Sequence, residues 1–207
     1  DPKRATSDER RTTNKASSPM EGKREEMVKL SFGEFPFNEA RKLVFERVAK
    51  IAGKYDGIDV GFLKDQDELR PGNINTLIDL YWREQNLSED IRRTMAAPDT
   101  VTRKYSLLNQ IFGDVRAERS LHLANGSSLL FFIDLLMGMD VVVTDVFPEL
   151  LSGVQKSLEK SPWLLDVGKI FGGNLKIEKY DVSYLPYSGE GYEGVDHITM
   201  IQFLRNG

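Results

Sequence analysis

Residues 121–150 read LHLANGSSLLFFIDLLMGMDVVVTDVFPEL. A short apolar run leads into an Asn-Gly-Ser-Ser turn. An apolar helix-like segment follows, then a second apolar run that closes on Asp145, then the start of another helix. That is the order of a βαβ nucleotide-binding unit. Arg119-Ser-Leu-His-Leu-Ala124 reads as a short buried strand. Asn125, Gly126, Ser127 and Ser128 tolerate unusual backbone angles and offer N–H and hydroxyl groups. Leu129 to Met137 predicts a helix apolar nearly all round, interrupted by Asp134, with Gly138 at its stop. Asp140-Val-Val-Val-Thr144 is β-branched and continuous, which suits a parallel strand covered on both faces.

In such a unit a ligand sits outside the carboxyl ends of the strands, against the first turn and the helix N-terminus behind it. An acid closing the second strand can accept both hydrogen bonds of a ribose diol. Asp145 lies about twenty residues beyond the turn, the spacing that role needs. The alternative is local: Asp145 caps the helix that starts near Pro148.

Upstream, Asp1 to Glu26 is charged and almost free of apolar residues, and reads as a disordered tail. Asp8, Glu9, Glu25 and Glu26 dilute its positive charge. Met27–Phe37 reads as a short patch broken by Gly33 and Pro36. Asn38 then looks like an N-cap, with Ala40, Leu43, Val44, Val48, Ile51 and Ala52 at helical spacing and Gly53 at the stop. Tyr55–Leu63 reads as a turn-rich link with weak strand character, and Pro71-Gly72 as a turn. Further helices are predicted from Asn75 to Gln85, from Ser88 to Pro98, and from Asp99 through Tyr105 and Phe112 to Gly113. The division is a tail (1–26), a helical cap or extension (27–113) and a Rossmann-like core (114–207). The predicted fold class is α/β: a mostly parallel sheet with helices on both faces, after an N-terminal helical segment.

Bulk composition narrows the functions. A formal net charge of -4 gives no general positive field for phosphate neutralisation, so nucleic acid is not the expected partner. The absence of cysteine removes thiolate chemistry and Cys-type metal sites, and two histidines are too few for a His-rich one, so no metal is expected. No apolar run is long enough to span a bilayer, and the charged start carries no signal-peptide core. A cytoplasmic location is the expectation. No G-x-x-x-x-G-K-[ST] occurs, and a dehydrogenase turn needs three glycines where only Gly126 stands.

The stretch from about Val115 onward resembles the class I S-adenosylmethionine-dependent methyltransferases. Leu121, Leu123, Gly126, Gly138, the Val141–Val143 strand, Asp145 and the helix start Pro148-Glu-Leu-Leu fall where the family has its first motifs. Asn174-Leu-Lys-Ile-Glu-Lys-Tyr-Asp181-Val-Ser-Tyr-Leu-Pro186 resembles its third strand, the acid after it and the Leu-Pro loop. Residues 195–204 would be the fourth strand. The resemblance implies S-adenosylmethionine as cofactor, held by His122, Ala124, Asn125, Gly126, Ser128, Asp145, Val146, Asp181 and Val182. Asp145 would bind the ribose and Asp181 the adenine amino group. The sequence departs from the pattern at His122, which replaces an acid, and at Ala124 and Ser128, which replace glycines.

Two functions follow from the resemblance. One is methyl transfer to a small molecule or a protein side chain, with the helices before residue 113 over the acceptor. His197 is then the candidate general base; the plainer reading makes it a packed strand residue. The other is a methyltransferase-like domain without catalysis, serving as a binding or scaffold subunit. A third reading makes the charged tail a docking segment for a larger assembly. Because the chain opens on Asp1 and stops soon after the fourth strand, it is expected to be a piece of a longer chain, or an abbreviated sheet. In the second case a protein partner, a second copy or the N-terminal helices would cover its edge.

Overall fold

The computed structural model describes residues 26–86, 119–123, 130–181 and 197–200. Met27–Leu30 (β1) and Gly33–Pro36 (β2) pair antiparallel around the two-residue turn Ser31-Phe32. The expectation of a patch broken by Gly33 and Pro36 is corrected. Gly33 and Pro36 stand at the two ends of β2, where neither interrupts the ladder. The turn is tied down from outside. Ser31 donates its backbone N–H and its hydroxyl to the two oxygens of Asp166, each at 2.7 Å.

Phe37–Ala52 (α1) starts one residue before the expected cap, after Pro36. Its buried stripe is Phe37, Ala40, Val44, Val48 and Ala52, at the three- and four-residue spacing of one helix face. The expected strand character of 55–63 gives way to turns and the short helix Phe62–Asp65 (α2). Backbone carbonyls within it and at its end are held by Arg41, whose guanidinium reaches Leu63 O at 3.0 Å and also Gln66 O. Pro71–Glu84 (α3) begins at Pro71, not at Asn75. Proline lacks only an N–H that the first helical turn leaves unused, so Pro71-Gly72 opens the helix instead of preceding it. Asn73 Oδ1 accepts from Arg70 N at 3.0 Å and closes that end. The helices expected over 88–113 lie outside the described residues.

Arg119–Leu123 (β3), Phe131–Leu136 (α4), Asp140–Asp145 (β4), Pro148–Lys160 (α5), Trp163–Ile170 (α6), Asn174–Lys179 (β5) and His197–Met200 (β6) make the second half. Every strand pairing in this half is parallel, in the order β5-β4-β3-β6. The class is therefore the expected one: α/β and Rossmann-like, with an N-terminal helical segment that here opens on a hairpin. The chain leaves β3 toward β4 and β5 on one side, then places β6 on the other side of β3. That makes β3 the point where strand order reverses.

The two faces of the sheet divide by alternation along the strands. Val141 and Val143 join Phe131, Phe132, Leu135, Leu151, Val154, Leu158, Trp163, Leu164 and Val167 in the main core. That core continues without a break into the buried stripes of α1 and α3. Leu121, Leu123 and Val142 form a second cluster on the opposite face, with Tyr180 against it. Each large apolar side chain taken fully out of water contributes about 1.5–3 kcal/mol. The sheet and the N-terminal helices are thus held mainly by this shared apolar interior.

The end of α3 is clasped to the junction of α5 and α6. Glu84 Oε2 accepts from Ser161 Oγ at 2.8 Å and from the Trp163 indole N–H. Burial lifts the nearby Tyr81 phenol above its ordinary value of 10.0; Ser157 opposes the lift and the Glu84 charge adds to it. A raised folded value means the folded state holds that proton more tightly than the unfolded state does. This contribution to stability is complete below pH 10.0 and declines as pH rises through the folded value. Alkaline melting should therefore show a fall in Tm above that point that is shallower in Tyr81→Phe. Matching profiles would contradict the assignment.

Candidate functional site at the carboxyl ends of the strands

Four parallel strands align their carboxyl ends at Leu123, Asp145, Lys179 and Met200. Asp145 is the last residue of β4, beside β3, and is only 3% exposed. Its Oδ1 accepts from Phe147 N at 2.9 Å, and its carbonyl accepts from Tyr180 N at 3.1 Å. The first bond bears on the capping reading alone. The carboxylate closes a turn two residues long ahead of α5, and α5 starts at Pro148 with no side-chain cap bond. Asp145 is therefore an oriented acid at the strand end, not the helix cap.

Beside it, Val146, Phe147 and Leu150 are 39%, 60% and 38% exposed. All three follow Asp145 closely in the chain, in the link to α5 and its first turn. Asp181 stands two residues beyond the end of β5 and is half-buried, on the same edge of the sheet.

His122 is placed differently from the sequence expectation. Pairing aligns Ser120 with Val141 and His122 with Val143, so both face the main core. Ser120, His122 and Asp134 are each 0% exposed. His122 Nε2 lies 2.7 Å from Asp134 Oδ2, and Ser120 Oγ donates to the same oxygen at 2.5 Å. The ring of Phe131 meets the imidazole edge-on at 6.3 Å. The imidazole thus turns into the helix-covered face and pairs with Asp134. Thr144 Oγ1 donates to His122 O at 3.1 Å, which ties the ends of β3 and β4 together.

His197 opens β6 opposite Ser120, at the amino end of the strand. Its side chain lies outside the described residues, as do Ala124, Asn125, Gly126, Ser128 and Val182. The sequence reading missed Asp134, which it took only as an interruption of an apolar run. The available signal was a lone carboxylate in a helix otherwise apolar, following a strand with an inward histidine.

A separate groove of 470 Å³ lies between β1 and the end of α6, lined by Met27, Lys29, Phe37, Lys169 and Asn174. Asn174 begins β5, so this groove is at the opposite end of the sheet from Asp145. Among the described residues no helix is long and apolar enough to cross a membrane.

No protein-family model and no curated protein matches the chain. Among solved structures it is similar to a mutant of MtNAS in complex with S-adenosylmethionine, at 16% identity and a TM-score of 0.31. The likeness covers 70% of this chain and 66% of that one, so the chain spans just under two thirds of that structure's length.

Proposed function

We propose that the chain binds S-adenosylmethionine across the carboxyl ends of β3 and β4 and transfers its methyl group to a small-molecule or protein acceptor. The observation that carries this reading is Asp145: a buried acid, oriented by Phe147 N, on the strand next to the reversal point of a parallel sheet. The residues present fit the cofactor. A carboxylate only accepts hydrogen bonds, and a ribose diol supplies two donors. Val146 and Phe147 supply an apolar border of the kind a purine ring packs on, and Asp181 supplies an acceptor on the same edge.

The sulfonium makes its methyl group electrophilic when bound. The protein's part is then alignment of acceptor and methyl in line, and a base is needed only for a protonated acceptor. A second reading, a ligand-binding subunit without transfer, is favoured by His122. Where the resemblance expects an acid for the methionine amine, the side chain here is packed against Asp134.

Isothermal titration with S-adenosylmethionine tests the binding. Losing charge-assisted hydrogen bonds worth about 1.5–3 kcal/mol should weaken Asp145→Ala by about ten- to a hundredfold. Absence of binding to the folded wild-type protein at millimolar ligand would sink both readings.

A further inference from the structure

Every residue of α4 is buried, and all are apolar except Asp134. One oxygen of Asp134 meets both Ser120 Oγ and His122 Nε2, from alternate positions on one face of β3. The His122 carbonyl in turn takes the hydroxyl of Thr144, the residue before Asp145. Polar contacts on both sides of His122 therefore connect the three elements: its side chain to the middle of α4, and its carbonyl to the end of β4. Buried charged networks rarely exceed well-packed apolar residues in net stability. What they add is direction, because hydrogen bonds weaken steeply off-axis while apolar contacts tolerate small slips.

We infer that Ser120, His122, Asp134 and Thr144 form a positioning relay that fixes the Asp145 carboxylate at the ligand edge. The relay touches no ligand. It sets the rotation of α4 on β3 and the height of β4 beside β3, and so the place from which Asp145 reaches Phe147 N. The functional weight of this inference rests on the ligand reading of Asp145; its mechanical content does not.

The test needs a variant that interrupts the relay and still folds. Ser120→Ala/His122→Leu/Asp134→Leu removes the Asp134 carboxylate together with the two side chains that meet it and puts apolar ones in their place, leaving the bond of Thr144 to the His122 carbonyl. His122→Gln keeps a donor close to the Nε2 position. In the ligand-free protein, amide hydrogen exchange at Phe147 should be about tenfold faster in the triple variant, equivalent to about 1.4 kcal/mol, and unchanged in His122→Gln. Affinity for S-adenosylhomocysteine should fall about tenfold in the triple variant and stay within about threefold of wild type in His122→Gln. A purely structural role would move Tm and leave both readouts alone. A folded triple variant whose Phe147 amide is as protected as in wild type overturns the inference. If exchange responds while wild type binds no S-adenosylhomocysteine, the relay stands and the ligand reading falls.

Discussion

Gly138→Ala is expected to lower the stability of the fold by about 3 kcal/mol, on the order of 10 °C in Tm for a chain of this size. Two effects add. Gly138 has φ 86, a left-handed conformation that costs any L side chain about 1–2 kcal/mol. A Cβ there would also run into the backbone carbonyl oxygen of Phe171, which cannot swing away as a side-chain tip could. The end of α4 shows why the position is fixed. Gly138 N bonds to Leu135 O, and Met139 N reaches back to Asp134 O at 3.1 Å, the paired bonds of a Schellman ending.

The end of α6 repeats the device, with Gly172 N on Lys169 O and Gly173 N on Gly168 O. The two endings interlock, since a Cβ on Gly173 would strike the carbonyl of Leu135 and one on Gly168 would strike the Leu135 side chain. The control is Gly153→Ala on α5, where the added methyl meets open space. Removing a glycine from a helix interior should stabilise by about 0.5–1 kcal/mol. Equal Tm values for Gly138→Ala and wild type would refute the interlock.

Gly138 also marks the boundary of what could be read in the sequence. A helix stop is local, so the apolar run before it and the β-branched run after it were enough to place it. The Phe171 carbonyl that makes the position intolerant arrives from another helix, and no spacing announces it. The same boundary runs through the rest of the chain. The order strand, helix, strand, acid was legible around Asp145 because each step is a run of one composition. The hairpin at 27–36 was not, because its strands are too short to show a period, and Gly33 and Pro36 look like breakers whether they end a strand or destroy it. Pro71 was misread for a related reason: proline before a helix and proline at its first position are the same letter. The place of Asp145 at the end of β4 was legible from the β-branched run before it. The partnership of His122 with Asp134 was not, because it depends on which face of β3 turns inward.

That partnership sets the second large effect. Asp134→Leu should destabilise the protein by about 3–5 kcal/mol, the penalty for stranding the other half of a buried pair. The leucine is apolar and near the right size, so the loss is not one of packing. Ser120 Oγ and His122 Nε2 would keep their desolvation and lose the acceptor that offsets it, in a place where all three residues are fully buried. Adding Ser120→Ala and His122→Leu removes the stranded groups, so the triple variant should recover to within about 1 kcal/mol of wild type. Urea unfolding of the three proteins measures this directly. The midpoint should drop for the single variant and return for the triple, with a common slope showing that the same surface is exposed each time. A single variant as stable as wild type would mean that the carboxylate is not what His122 and Ser120 lean on. A triple variant as unstable as the single one would mean that the loss comes from packing around α4. Only recovery in the triple separates the cost of an unpaired polar group from the cost of a disturbed core. It also provides the folded protein, without the Asp134 contacts, in which the placement of Asp145 can be examined.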